Sequence, residues 1–335
     1  MMGVWLLSGC VGDHPDLNSD STKNTTKETK SSVVAYEDND YYEDYTTSDY
    51  ETIDLDKQEG DLTIREGGIY VVSGTMKDGS IIVDAKKNVV RIVLAGVDLT
   101  SSHSAPIYVK DAEKVILSLQ EGTVNTIQDG DSYDVDENQE PSAAIFSKDD
   151  LTINGNGTLK VIAKVKNGIQ CKDTLKLMSG TYDIQAVGDG IKGKDAVWIH
   201  NGTYQITAEK DGIQTVNADH GEMIIEDGTF TIVSGQDGIQ SKTSLMVYDG
   251  SFLITSGGGS TGVTQVKNPG EFYDFDEAST ISQKGIKAGT TLTLKAGTYD
   301  ISSIDDALHS NQALAIENGT IPFPVMMTAS MRIVI

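Results

Sequence analysis

The sequence predicts an all-β solenoid, a parallel β-helix with coils of 22 residues, and three observations predict it. Asp-Gly-Ile occurs at Asp189, again at Asp211, 22 residues on, and at Asp237, with a relative, "DDAL", beginning at Asp305. Gly-Thr-aromatic occurs at Gly180, Gly202, Gly228 and Gly297, with Gly-Ser-Phe at Gly250. The two markers keep a constant gap: 9 residues separate Gly180 from Asp189, Gly202 from Asp211, Gly228 from Asp237 and Gly297 from Asp306. Between the markers, apolar and polar residues alternate. A fixed period in this range marks a stacked repeat, and period-2 alternation marks strands with one buried face.

Each repeat reads as strand, turn, strand, turn and a short strand. The first strand places apolar residues five and three positions before the marker Gly: Leu175 and Leu177, Val197 and Ile199, Met223 and Ile225, Leu245 and Val247, Leu292 and Leu294. The second places them two and four after it: Tyr182 and Ile184, Tyr204 and Ile206, Phe230 and Ile232, Phe252 and Ile254, Tyr299 and Ile301. The third runs through "GIQ" or "GIK". In "DGIQC" the Ile points inward, Gln170 outward and Cys171 inward. The inward column at this corner is then Cys171, Gly193, Thr215, Ser241, Ala288 and Ser310, all small. "PIYVKD" at Pro106 and "AIFSKD" at Ala144 fit the same frame, so at least eight coils are visible, with a ninth near "GSIIVDA". A single repeat cannot bury its own apolar face; stacked copies, about 4.8 Å apart, make a continuous core. A leucine-rich repeat would need its Leu/Asn signature, and a propeller blade about 40 residues.

The chain of 335 residues has a net charge of −24 and 34 glycines. That balance argues against nucleic acid and anionic membrane surfaces as partners and suits a protein that binds cations. Residues 1–10 end in "LLSGC", which matches a bacterial lipobox with lipid on Cys10, although the positive stretch expected before it is missing. The start is therefore expected to be assigned late, or the chain to be a fragment. Residues 11–56 are rich in Ser, Thr, Asp, Glu and Tyr and read as a disordered acidic tether. The β-helix is expected over 57–321. Residues 322–335 break the pattern where an Asp-Gly step is due. The codons of Met326-Met327-Thr328, read two nucleotides later, contain Asp-Asp, so the tail is expected to be the product of a frameshift that removed further coils. Cys171 reads as a buried core thiol.

"SAPIYVKDAEKVIL", "AAIFSKDDLTINGNGTL", "DGIKGKD", "KGIKAG" and "DDALHSN" together resemble bacterial carbohydrate-binding domain-containing proteins, over roughly Asp61 to Thr320. The resemblance implies a right-handed, pectate-lyase-like parallel β-helix in a lipid-anchored or secreted protein. It also implies binding of cellulose and acidic sugars, and bound calcium.

The residues themselves offer chemistry in columns. Before the corner Gly stand Asn167, Asp189, Asp211, Asp237, Lys284 and Asp306. Carboxylates one strand spacing apart repel by about 1 kcal/mol per pair in water and by more where water is excluded. Calcium among Asp189, Asp211, Asp237 and Asp306 would relieve this, since it takes six to eight oxygens. The competing account is that these side chains accept backbone N–H bonds at turns. A second column, Asp111, Asp149, Asp173 and Asp195, has a Lys before each Asp, and there the turn account is preferred. The acidic loop "DGDSYDVDENQE" from Asp129 is read equally as a calcium loop or a solvated insert.

After the corner Ile runs an outward ladder: Tyr108, Phe146, Gln170, Lys192, Gln214, Gln240, Lys287 and His309. Amide, ammonium and aromatic groups in a regular row suit a polysaccharide, through hydrogen bonds to hydroxyls, stacking on sugar rings and cations for uronates. The alternative is an ordinary solvated face. The insert "NPGEFYDFDEAST" offers Phe272, Tyr273 and Phe275 for stacking or for packing the loop. A calcium-dependent lyase with a Lys base, Lys192 or Lys210, and a surface adhesin or scaffold stand as alternatives to a binding protein. The expectation is an extracellular, lipid-anchored polysaccharide-binding protein with calcium as its cofactor.

Overall fold

The structure, a computed structural model, describes residues 34–42, 44–135, 138, 140–259 and 281–320, with the backbone of 333–334. Every strand pair is parallel, and the chain winds around three faces. The first is a ten-stranded short sheet, from Leu62–Ile64 and Ile81–Asp84 through Ile191–Gly193 and Ile213–Thr215 to Leu308–Ser310. The second face stacks Lys114–Leu119, Asp150–Gly155, Thr174–Leu177, Ala196–Ile199, Glu222–Ile225, Leu245–Val247, Thr291–Leu294 and Ala313–Ile316. The third stacks Val124–Asp129, Thr158–Ala163, Thr181–Ala186, Thr203–Ala208, Thr229–Ser234, Ser251–Ser256 and Thr298–Ser303. The long strand Val89–Ser101 belongs to both of the last two faces. This is a parallel β-helix, and no α-helix occurs among the described residues.

Alternation decides which side chains enter the core. Thr203–Ala208 buries every second residue, and its buried Tyr204 and Ile206 lie over Tyr182 and Ile184 of the coil before. Tyr182, Tyr204, Phe230, Phe252 and Tyr299 form one stack with ring centroids 4.7, 4.7, 4.7 and 4.9 Å apart and planes within 6°. Each Tyr hydroxyl in the stack escapes burial without a partner by donating to the carbonyl three residues back, as Tyr204 does to Asn201 at 2.9 Å. The glycine that opens each aromatic strand has positive φ, 139° at Gly202 and 143° at Gly228, a region that other residues resist.

The small corner column is buried as expected, and its hydroxyls find carbonyls: Ser241 donates to Ser244 O at 2.7 Å and Ser310 to Thr290 O at 2.6 Å. Cys171 is fully buried, and that burial pushes its thiol pKa far up. Two features were missed by the periodicity. Leu62–Ile64 is a further strand of the short sheet, paired with Ile81–Val83. Residues 34–42 and 44–56 do not behave as part of a tether: Glu51–Asp54 pairs with Tyr70–Ser73, and Asp40 is wholly buried. Their polar composition hid this, because the groups that bind them are polar too. Cys10, the aromatics Phe272, Tyr273 and Phe275, and residues 321–332 lie outside the described residues, while the backbone of Ile333–Val334 pairs with Leu314–Ala315.

Candidate functional site: the outer face of the short sheet

The outward ladder is in register. Tyr108 lies beside Phe146, then Gln170, Lys192, Gln214, Gln240, Lys287 and His309 follow rung by rung. It is not, however, an independent row of free side chains. Each rung from Gln170 on stands three residues after an Asn or Asp of the column, except Lys287, which follows Lys284, and most rungs bond to a column member. Lys192 Nζ meets Asp189 Oδ2 at 2.7 Å, Lys287 Nζ meets Asp237 Oδ2 at 2.9 Å, and His309 Nδ1 meets Asp306 Oδ2 at 2.9 Å. Gln214 donates its amide to Asp211 Oδ2, and Asn167 donates to Gln170 Oε1 at 2.7 Å. Gln240 accepts from Lys287 at 2.9 Å.

The remaining side-chain oxygen of Asn167, Asp189, Asp211 and Asp237 serves the backbone. Asn167 Oδ1 accepts from Asp189 N–H at 2.8 Å, Asp189 Oδ1 from Asp211 N–H at 3.3 Å, Asp211 Oδ1 from Asp237 N–H at 2.9 Å, and Asp237 Oδ1 from Lys284 N–H at 2.7 Å. The column is a spine of side chains that ties each coil to the next through corner donors a turn leaves over. Burial and the carboxylates of Asp237 and Asp189 push the Asp211 carboxyl up to about 7. It is the column Asp whose bonded ladder partner is a neutral amide.

This geometry does not fit the calcium expected among Asp189, Asp211, Asp237 and Asp306. The first oxygens of Asp189, Asp211 and Asp237 take backbone N–H groups, the second oxygens of all four face ammonium, amide or imidazole groups, and among the described residues no three acidic, His or Cys side chains are arranged to hold a metal. The acid at the head of the other candidate loop, Asp129, is buried and takes the Tyr133 hydroxyl at 2.6 Å and the Lys164 N–H at 2.5 Å. In the Lys-Asp column, Asp149 accepts the Ala112 N–H at 2.9 Å, as a turn residue would. The lysines before it and before Asp173, Lys148 and Lys172, both turn to Glu140.

Phe146 is also not where a sugar could reach it. It is fully buried in a small apolar cluster with Ala105 and Ala143, with Tyr108 packed against it. Tyr108 itself forms part of a cleft of about 380 Å3 together with Arg65, Lys110, Lys148, Asp84, Asp134 and Glu140. Lys148 Nζ sits 5.9 Å from the centre of the Tyr108 ring and 2.9 Å from Glu140, and Arg65 is 3.6 Å from Asp84. Lys110 is exposed. The short-sheet face thus combines a partly open aromatic ring with three cations at one end and a row of half-buried amide, ammonium and imidazole groups along its length. The contributions of Arg65, Lys110 and Lys148 were missed by sequence reasoning. The signal that could have found them is their place on either side of the outward positions of the first short strands.

The chain is a parallel β-helix with a cleft on one sheet that sets an aromatic ring among three cations and three carboxylates. A family model described as carbohydrate-binding domain-containing protein matches residues 58–325, and the chain belongs to that family. A carbohydrate-binding domain-containing protein of Acetivibrio thermocellus is 42% identical over 135 residues, 39% of this chain and 47% of that protein; the chain thus spans about half the length of this curated relative. A solved structure, the polysaccharide lyase-like protein from C. thermocellum as a gadolinium derivative, superposes with a TM-score of 0.61 at 28% identity, over 81% of this chain and 98% of that one.

Proposed function

We propose that this protein binds an acidic polysaccharide of the pectic type along the outer face of the short sheet, entering at the Tyr108 cleft. The observation that carries the reading is the row of outward side chains in register from Tyr108 to His309, with Arg65, Lys110 and Lys148 set around Tyr108 beside Asp84, Asp134 and Glu140, and with the buried Phe146 the one rung withdrawn from it. Cations at Arg65, Lys110 and Lys148 would meet uronate carboxylates, the Tyr108 ring would lie against a sugar face, and the ladder amides would meet hydroxyls. Cellulose, which lacks carboxylates, would use the ring and the amides alone. Membership of the carbohydrate-binding family supports the ligand class. In this reading the Asp column is a structural spine, and no calcium is assigned to it. Lipid on Cys10 would hold the domain at the outside of the cell, a reading that rests on "LLSGC". A lyase is the weaker reading, because Lys192, one of its two candidate bases, is held by Asp189 at 2.7 Å.

Titration calorimetry with oligogalacturonate and with cello-oligosaccharides tests the proposal. The double variant Arg65→Ala/Lys110→Ala should bind oligogalacturonate about tenfold more weakly, a loss of about 1.4 kcal/mol, with an unchanged melting midpoint. Unchanged affinity would remove the cleft from the site, and no binding of either glycan would remove the function.

A further inference from the structure

The outer face of the second sheet holds cations that should be solvated and are not. Lys176 lies between inward Leu175 and Leu177, and Arg91 between inward Val90 and Ile92, so both point away from the core. Yet Arg91 is 5%, Lys114 5% and Lys176 7% exposed. What covers them is the chain's own segment from Val34 to Tyr42. Its Asp40, 0% exposed, is clasped between the two lysines, with Lys114 Nζ at 2.5 Å from one oxygen and Lys176 Nζ at 2.9 Å from the other. Thr152 donates to the same carboxylate at 2.6 Å, and Asn154 donates to the Asp40 carbonyl at 2.8 Å. Beside it, Tyr36 packs edge-on against Trp198 and His200, with centroids at 6.4 and 5.4 Å, and Lys176 Nζ lies 5.6 Å from the Trp198 ring.

The segment is an incomplete match for what it covers. Among the described residues four buried side-chain polar atoms have no hydrogen-bond partner, and three of them are here: Trp198 Nε1, Asn154 Oδ1 and the Tyr36 hydroxyl. A site shaped for this segment alone would not leave them so, because a buried polar atom without a partner keeps its full desolvation cost. A donor aimed from Trp198, an acceptor from Asn154 and a lysine pair around a carboxylate suit a ring that carries hydroxyls and a carboxylate. An open cleft of about 460 Å3 lined by His200 and by Tyr41 and Tyr42 of the segment carries the surface on at one end, whereas the cleft of about 420 Å3 beside Trp198 is lined by Asp195, Asp219 and Glu222 and would repel a uronate.

We propose that the face bearing Lys114, Lys176 and Trp198 is a second binding site for a uronate-containing glycan, and that the Val34–Tyr42 segment is its built-in competitor, with the Asp40 carboxylate in the place of the sugar's. The proposal rests on the acidic-polysaccharide reading of the protein but concerns a different sheet. Ligand binds here when the segment leaves, so the apparent affinity is reduced by the fraction of molecules with the segment docked.

The test uses the full chain and oligogalacturonate. Asp40→Asn loosens the clasp, and Tyr36→Ala loosens the segment without touching the ion cluster. Each should bind oligogalacturonate about tenfold tighter than the wild type, and adding Lys176→Ala should abolish the gain. Saturating oligogalacturonate should also speed amide hydrogen exchange across 34–42 in the unaltered protein, while cello-oligosaccharide does not. The proposal is overturned if both variants bind as the wild type does, if the gain survives Lys176→Ala, or if poly-glutamate displaces the segment and oligogalacturonate does not. Should Arg65→Ala/Lys110→Ala lose binding while Asp40→Asn matches the wild type, only this second site falls. Absence of glycan binding by every chain brings down both readings.

Discussion

Asp211 Oδ1 accepts the backbone N–H of Asp237, one coil further on, at 2.9 Å, while its second oxygen takes the Gln214 amide. Asn167 makes a related pair with the second bond reversed, accepting from Asp189 N–H at 2.8 Å and donating its own amide to Gln170 Oε1 at 2.7 Å. The column therefore tolerates a neutral amide where the partner is Gln, and at Asp211 a charge stands in a place that does not need one.

The pH dependence follows from that charge. Burial, then the Asp237 and Asp189 carboxylates, raise Asp211 from the ordinary 3.8 to about 7. Between these values the folded chain holds a proton that the unfolded chain has released. Stability is fully present below about pH 4 on this account and falls as pH rises through about 7, by an order of 2–4 kcal/mol. Asp211→Asn, a copy of the Asn167–Gln170 rung, should remove this slope and raise the denaturation midpoint at pH 8. Urea titrations at pH 5 and pH 8 check it; a variant less stable than the wild type at pH 8 would show that the charge is needed.

The ladder's ammonium, amide and imidazole groups already occupy the second oxygens of Asp189, Asp211, Asp237 and Asp306. A chelator should leave the melting midpoint where it was, because a ligand that does not bind the folded state adds nothing to its stability. A fall of several degrees on chelation, reversed by calcium, would return the metal to this column.

How much of this was legible in the sequence differs between the backbone and the site. The constant gap from Gly202 to Asp211 fixes strand phase, so the inward columns and the rungs of the ladder could be read without coordinates. What a column's outward end touches could not. Lys192 and Asp189 are three residues apart in every coil's frame, yet a period-2 rule assigns them to two separate rows rather than to one bonded pair. Phe146 is outward by phase and still buried, packed in a small cluster with Ala105, Ala143 and Tyr108. The Val34–Tyr42 segment was invisible for the opposite reason: composition marks it as polar, and only the buried cations of the second sheet explain why it docks.

Lys192 should prove structural before it proves functional. Lys192→Ala leaves the Asp189 carboxylate, 3% exposed, without its ammonium. A loss of about 1–3 kcal/mol is expected in chemical denaturation. Lys192→Gln should recover most of it, since the amide can donate as Gln214 does to Asp211. If Lys192→Ala is as stable as the wild type, the ion pair is not part of the spine, and weaker glycan binding by this variant could then be read directly as lost contact.

The corner glycines test the packing of coil on coil. A Cβ on Gly212 would stand 2.5 Å from the carbonyl oxygen of Gly238 and 2.5 Å from Ile232 Cγ2, closer than real contacts allow. The same clash recurs at Gly190 against Gly212 and at Gly238 against Gly285, so the glycine of Asp-Gly-Ile is required by space between coils. Ala307 takes this position in the last described rung of the short sheet, where its methyl group is buried. Gly212→Ala should therefore cost about 3 kcal/mol, the range of an overpacked core. Ala307→Gly should cost less than about 1 kcal/mol, through the greater freedom of the unfolded chain. Urea midpoints of the two variants decide the matter. Equal, small effects at both positions would mean that the solenoid can open its coil spacing at the corner, and that the glycine serves flexibility rather than close approach.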